Sequence, residues 1–232
     1  MRAVVKKLFD QTRTIKRLDL QVDKAVIKSG DVFRAGQYLD LQIPGLEEVG
    51  GYSMCNGPSE FEQTGIVELA VKRSDHLPAR WIHEQCTIGT ELKFDFGGDF
   101  CFDPHEESRT ETGQITLIAG GVGLNPLLSM ARETLLVQDR QSQNSEKVDV
   151  NLLYSVSSED ELQFADQFGT LMKRFPDAFS IDIFVTGGRK SSPAELTTLD
   201  VCAGVRDAQP LLGMRVQNCY DVDNKTYLIR LY

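Results

Sequence analysis

A chain of 232 residues with 41% hydrophobic content has room for one large or two small globular domains, and it carries no apolar run long enough to span a bilayer. Its formal net charge of -9 argues against a nucleic-acid partner, which needs a basic face, but not against a phosphate-bearing cofactor held by backbone amides and a helix dipole. Five scattered cysteines with no C-x-x-C, and three histidines without ligand spacing, argue against metal chemistry.

The start, Met1-Arg-Ala-Val-Val-Lys-Lys, is basic enough to suggest a transit peptide, yet strand-like alternation begins almost at once at Thr14–Val22. We therefore assign the positive start to the folded domain. Free thiols suit a reducing, intracellular setting, mitochondrial or cytoplasmic. Up to about residue 102 the apolar positions follow short strands: Leu18/Leu20/Val22, Tyr38/Leu39/Leu41/Ile43, Ile66/Val67/Leu69/Val71 and Leu92/Phe94/Phe96. Turn signals separate them at Ser29-Gly30-Asp31, Pro44-Gly45, Gly50-Gly51, Asn56-Gly57-Pro58 and Gly97-Gly98-Asp99. That pattern predicts a small antiparallel barrel, with one helix over Pro78–Gln85.

Residues 103–113 are polar and read as a linker. Beyond them the rhythm changes. Ile115–Ala119 is a continuous apolar run, expected for a strand buried on both faces. A helix from Pro126 follows, then a strand at Val148–Tyr154, a helix at about Asp160–Phe175 and a strand at Phe179–Val185. This alternation predicts a parallel α/β sheet. The division expected is a barrel over 1–102, a linker over 103–113 and an α/β nucleotide-binding domain over 114–232. Within the last, 207–232 has no assignment and makes an atypical ending.

Gly120, Gly121 and Gly123 lie between the first of these strands and its helix. Without side chains there, the chain can turn sharply and its backbone can approach a pyrophosphate. Asn125 suits an N-cap and Pro126 the first helical position, so free amides at the helix start would face the ligand. A tight strand-to-helix turn that binds nothing is the bland alternative, because a lone glycine-rich turn is weakly diagnostic.

The run Leu117-Ile-Ala-Gly-Gly-Val-Gly-Leu-Asn-Pro-Leu-Leu-Ser-Met130 resembles the nicotinamide-domain motif of the ferredoxin–NADP reductase superfamily. Leu152-Leu-Tyr-Ser-Val-Ser-Ser-Glu-Asp-Glu-Leu162 is similar to that family's second strand and following helix. Phe33-Arg-Ala-Gly-Gln-Tyr-Leu39, Gly51-Tyr-Ser-Met54 and Gly97-Gly-Asp-Phe100 resemble its barrel motifs, in the family's order. The resemblance implies a flavin-type barrel, FAD and NAD(P)H as cofactors, and hydride transfer to the flavin. It implies nucleotide contacts from Gly120, Gly121, Val122, Gly123, Leu124, Asn125, Pro126 and Ser155. Flavin contacts would come from Tyr52, Ser53, Met54 and the backbone of Ala70, Val71 and Lys72. Tyr52 would pack on the isoalloxazine, and Ser53, the catalytic residue, would offer its hydroxyl to flavin N5.

Three departures stand out. The family has Arg two residues before the Tyr, where Gly50 stands; it has a small hydroxyl residue at the start of the barrel helix, where Ala79 stands; and its closing Cys-Gly-Pro is missing. Loss of two phosphate contacts would weaken flavin binding, unless Lys72, Arg73 or Arg80 compensates. Glu159-Asp-Glu161 beyond the second strand repels a 2'-phosphate and favours NADH, or simply enriches the first turn of a helix. The function expected is an oxidoreductase passing hydride from NAD(P)H to a flavin and electrons to an unknown acceptor, with a protein electron acceptor among the partners considered. The alternative is a non-catalytic NAD-binding module or an electron-transfer subunit that has lost tight flavin binding.

Overall fold

The computed structural model describes residues 1–23, 32–104, 113–140 and 148–186, together with the backbone of two strands in the range 216–231. Six antiparallel strands form the first half: β1 (Arg2–Asp10), β2 (Ile15–Val22), β3 (Tyr38–Gln42), β4 (Val49–Ser53), β5 (Ile66–Lys72) and β6 (Glu91–Gly97). Their order is β4-β3-β6-β1-β2-β5. The edge strands meet only at the Met54–Leu69 bridge, so the sheet curls into a barrel with an open seam. Alternate residues fill it, among them Leu18, Leu20, Leu39, Leu41, Val67, Leu69 and Phe94.

The basic start is β1, paired to both β2 and β6, as the sequence implied. Gly50-Gly51, read as a turn, instead lies within β4, opposite Leu41 and Asp40. Asn56-Gly-Pro58 opens a helix that the sequence reading missed, α1 (Pro58–Thr64). Gly57 N donates to Glu60 Oε2 at 3.1 Å, and Gly65 ends the helix at φ +67°. The expected barrel helix is α2 (Leu77–Glu84), burying Ala79, Ile82 and His83.

The second half carries β7 (Gln114–Gly120), a 3-10 turn (Gly121–Gly123), α3 (Leu124–Arg140), β8 (Asp149–Val156), α4 (Ala165–Arg174) and β9 (Phe179–Val185). The three strands are parallel in the order β7-β8-β9. Leu117 and Ala119 on one face of β7 and Thr116 on the other are buried, whereas Ile115 and Ile118 are only half-buried. The single helix expected over 160–175 is broken in two. A 3-10 turn at Glu159–Glu161 gives way to Phe164 at φ +57°, and α4 starts only at Ala165. The break sends Phe164 under the Arg17 guanidinium, 4.7 Å from its ring centroid, and buries Gln163 completely.

The tail left unassigned in the sequence contains an antiparallel pair, β10 (Val216–Asp223) and β11 (Thr226–Leu231), and β11 runs alongside β7. Most of the expected linker, and residues 187–215 of the α/β half, lie outside the described residues.

The two halves share one apolar core. Ile15, Ala35, Cys55, Ala70 and Phe102 of the barrel side cluster with Leu124, Leu127, Leu128 and Tyr154. Helix α3 is the joint. Its leucines meet the parallel sheet, while Asn125, Ser129, Arg132 and Glu133, spaced along one helical stripe, reach the barrel.

Candidate functional site

A cleft of about 870 Å³ opens between the halves, within the size range of small-molecule sites. Its wall on the α/β side is Gly120–Gly123, Asn125, Pro126, Ser155, Val156, Ser157, Glu161 and Thr186. Its wall on the barrel side is Gly51, Tyr52, Ser53, the run 70–74, His76 and Ala79. The structure thus brings together the expected site residues from both motifs, with two exceptions. Leu124 and Met54 do not join them: each is fully buried, Leu124 in the shared core and Met54 in the barrel core. Helical and strand periodicity turn both side chains inward, so only their backbone lies near the cleft.

The glycine loop is built by backbone. Gly120 is extended and Gly121 adopts φ +52°, a conformation that disfavours other residues, and among the described residues no atom beyond its chain neighbours lies within 4 Å of where a Gly121 Cβ would sit. From behind, Gln163 Nε2 donates to Gly121 O at 3.2 Å and to the Tyr154 hydroxyl at 3.2 Å. The loop is therefore held from the core side while its front faces open space. No side chain caps the 3-10 turn.

Asn125 corrects the N-cap expectation. The helix begins at Leu124, two residues before the expected first position Pro126, and Asn125 Nδ2 donates across the boundary to Ala70 O at 2.8 Å. This ties the glycine loop to the last stretch of β5. Three more contacts extend the tie: Ser129 Oγ donates to Asn56 O at 2.8 Å, Ser59 N and Oγ both donate to Glu133, and Arg140 reaches Ser59 Oγ at 3.0 Å.

At the centre, Arg132 donates to Glu60 Oε1 at 2.6 Å and to Glu68 Oε2 at 3.0 Å, and Arg17 donates to the same Glu68 oxygen at 2.7 Å. Burial works to raise the Glu68 pKa, but the charge and hydrogen bonds of Arg132, and then Arg17, hold it below its ordinary value. Burial raises the Glu133 pKa, against the bonds from Ser59. Nothing in the sequence reading found this network. The signal was there, in polar residues recurring on one stripe of an otherwise leucine-rich helix.

The barrel wall is built by side chains. A Cβ on Gly50 would come within 2.5 Å of the Tyr52 ring, so the ring lies folded over Gly50. Its hydroxyl is buried without a hydrogen-bond partner, and burial raises its pKa. Of the three cations considered as substitutes for the missing arginine, Lys72 and Arg73 line the cleft, whereas Arg80 is exposed on α2 and does not. Ala79 lines the cleft but is almost wholly buried. His83, whose pKa burial lowers, contacts Val71 O through Nε2 at 2.9 Å and so fastens α2 to β5.

Glu161 is not free to serve a ribose alone. Thr14 Oγ1 donates to both of its oxygens, at 2.7 and 2.8 Å, and Lys72 Nζ lies 3.6 Å away. Cys55 and Cys86 are buried free thiols; burial pushes Cys55 up to about 12 and Cys86 up to about 11. Among the described residues no cluster could hold a metal ion, and no helix is long and apolar enough to cross a membrane.

An open antiparallel barrel joined to a parallel α/β sheet, with a glycine loop and a Tyr-Ser strand end on one cleft, defines a two-domain reductase fold. The chain has the fold of the ferredoxin–NADP reductases. Residues 113–209 match the model of the Ferric reductase NAD binding domain family. The chain is 42% identical over 167 residues to Oxidoreductase NAD-binding domain-containing protein 1 of Bos taurus, a match covering 71% of this chain and 53% of that one. It thus spans about half the length of such relatives. Among solved structures, the Amycolatopsis cytochrome P450 reductase GcoB superposes with a TM-score of 0.66 at 25% identity, over 89% of this chain and 58% of that one. Ferredoxin-NADP+ reductase from Plasmodium falciparum does so with a TM-score of 0.67 at 14% identity, over 90% and 78%, a likeness of fold.

Proposed function

We propose that this chain is an NAD(P)H-dependent flavin oxidoreductase whose two halves each supply one wall of a single cofactor cleft. The observation that carries the reading is the convergence of Gly120–Gly123 with Tyr52-Ser53 on one cleft of about 870 Å³. We place the division between the halves at residues 103–113, with the flavin on the side of residues 1–102 and the nicotinamide nucleotide on the side of residues 114–232.

Gly121, turned to open space, leaves room for a pyrophosphate against the backbone, and the uncapped amides of the turn supply donors. Ser155 and Ser157 at the end of β8 offer hydroxyls to a ribose. On the other wall, Ser53 presents a donor at the strand end, and the backbone from Ala70 to Lys72 flanks a flat ligand. Rotation of Tyr52 off Gly50 would free its unpartnered hydroxyl and expose a ring face for stacking, which gives that orphan group a use. When bound together, the two cofactors supply the redox chemistry, a hydride passing from the reduced nicotinamide to the flavin. The protein's part is to hold them close and in line while excluding water, so no acid–base side chain is required. Asn125 sets that approach by fixing the glycine loop to Ala70.

With Glu161 committed to Thr14 and Lys72, a preference for NADH rests on the absence of Arg or Lys just beyond β8. The test is anaerobic mixing of the purified chain with FAD and NADH. Loss of the oxidised flavin absorbance, faster than in protein-free solution, supports the reading. Nucleotide binding without such bleaching favours the alternative, a nucleotide-binding module without turnover, for which the collapse of Tyr52 over Gly50 is the supporting observation.

A further inference from the structure

Lys72, Arg73 and His76 crowd one rim of the cleft in a chain of net charge -9, and each faces a carboxylate: Glu161 at 3.6 Å, Glu84 at 4.0 Å and Glu48 at 3.5 Å. Glu84 and Glu48 stand outside the cleft lining, whereas Glu161 is part of it. Of the three pairs, only Lys72–Glu161 joins the two halves of the molecule across the cleft.

The two members of this pair are held very differently. Glu161 is held by the Thr14 hydroxyl, whose one proton is shared between the two carboxylate oxygens at 2.7 and 2.8 Å, and is only 17% exposed. Lys72 has a 48% exposed side chain and reaches Glu161 only at ion-pair distance, without a hydrogen bond within 3.5 Å. A half-exposed pair of this kind binds weakly, and a lysine is a flexible point charge that readily changes partner. A bare carboxylate in this wall would repel an anionic ligand; Lys72 neutralises it until one arrives.

We propose that Lys72 and Glu161 form an exchangeable ion pair, in which the pyrophosphate of a bound dinucleotide takes Lys72 from Glu161 while Thr14 keeps the carboxylate in place. Lys72 then supplies the ligand cation on a wall where Gly50 carries no side chain, and Glu161 sets the affinity by competing for it. This rests on the reading of the cleft as a dinucleotide site. The pyrophosphate can come from NADH or from FAD, and the same chemistry serves either.

Calorimetric titration of the full chain with NADH, FAD and riboflavin, which lacks phosphate, tests this. Lys72→Met is expected to weaken the dinucleotide that uses the rim about tenfold, the scale of one charge-assisted contact, and Lys72→Arg to restore it. Glu161→Gln is expected to tighten the same dinucleotide about threefold by removing the competitor, with riboflavin binding unmoved in both variants. A response to NADH alone or to FAD alone identifies the source of the pyrophosphate. If both substitutions weaken every ligand and lower the melting temperature together, the pair is a structural clasp and the proposal is wrong. Wild-type binding of a dinucleotide that Lys72→Met leaves unchanged overturns the exchange alone. Wild-type protein that binds neither dinucleotide overturns the cleft reading with it.

Discussion

The two walls of the cleft are made by different means. The α/β wall is shaped by backbone: Gly120–Gly123 turn the chain, and a buried glutamine behind them holds one carbonyl. The barrel wall depends on side chains that interlock, with Tyr52 folded over Gly50 and Lys72 drawn toward Glu161. A backbone-built wall keeps its shape without a ligand, whereas a side-chain wall relaxes onto itself. The first therefore suits the proposed phosphate site as it stands, and the second is one that the proposed flavin would have to open.

Between them runs α3, and the sharpest way to break the comparison is to cut that joint. Arg132→Met leaves the half-buried Glu60 and Glu68 without their shared cation, Glu68 keeping only Arg17, and should cost about 3 kcal/mol, measured by urea unfolding. If the halves were independent units, the loss would be small. Gly57→Ala comes next. Its new methyl would meet Glu133, including that residue's backbone Cα at 3.2 Å, and wedge α1 away from α3 for about 1–3 kcal/mol.

Gly121→Ala probes the backbone wall alone. A side chain at φ +52° is strained by about 1–2 kcal/mol but meets no protein atom. It should therefore lower the melting temperature by only the few degrees that this strain costs, while the methyl group in the ligand's space weakens NADH binding about tenfold or more. The same fall in melting temperature with NADH binding unchanged would mean that the loop is structural only.

The smallest effect is pH-dependent. The folded pKa of Glu68 is depressed, so its stabilisation is fully present above the ordinary value of 4.5 and is lost as pH falls through the lower folded value. The folded pKa of His83 is likewise below 6.5, so the folded state binds fewer protons than the unfolded one, and its share also fades as pH falls from there. Unfolding midpoints should decline below about pH 6.5, and Glu68→Gln should flatten the acid end of that curve.

How much of this was legible follows the same division. The strand alternation of the barrel and the apolar β7 could be read from local periodicity, and so could the glycine loop, because each is written in consecutive residues. The ordered barrel motifs pointed to Tyr52 and Ser53 as cleft residues. What could not be read was tertiary. Asn125 looked like a cap because its residue type suits one, yet its amide is claimed by Ala70, fifty-five positions away. The acids at Glu159–Glu161 looked like the first turn of one helix, but the descent of Phe164 beneath Arg17 splits it, and Glu161 turns to Thr14. Gly50 read as a turn and as a lost arginine. Only the fold gives it a present neighbour, the Tyr52 ring. The β10–β11 pair escaped because eight- and six-residue strands with mixed polar patterns carry little period-2 signal.

Backbone amide hydrogen exchange of the full chain, with and without saturating NADH, tests the central claim most directly. Binding in the cleft predicts slowed exchange at Val122–Leu124 and at Ser155–Ser157, with the far end of the barrel at Gln42–Val49 unchanged. Protection confined to that far end, or none at the glycine loop under saturation, would contradict it.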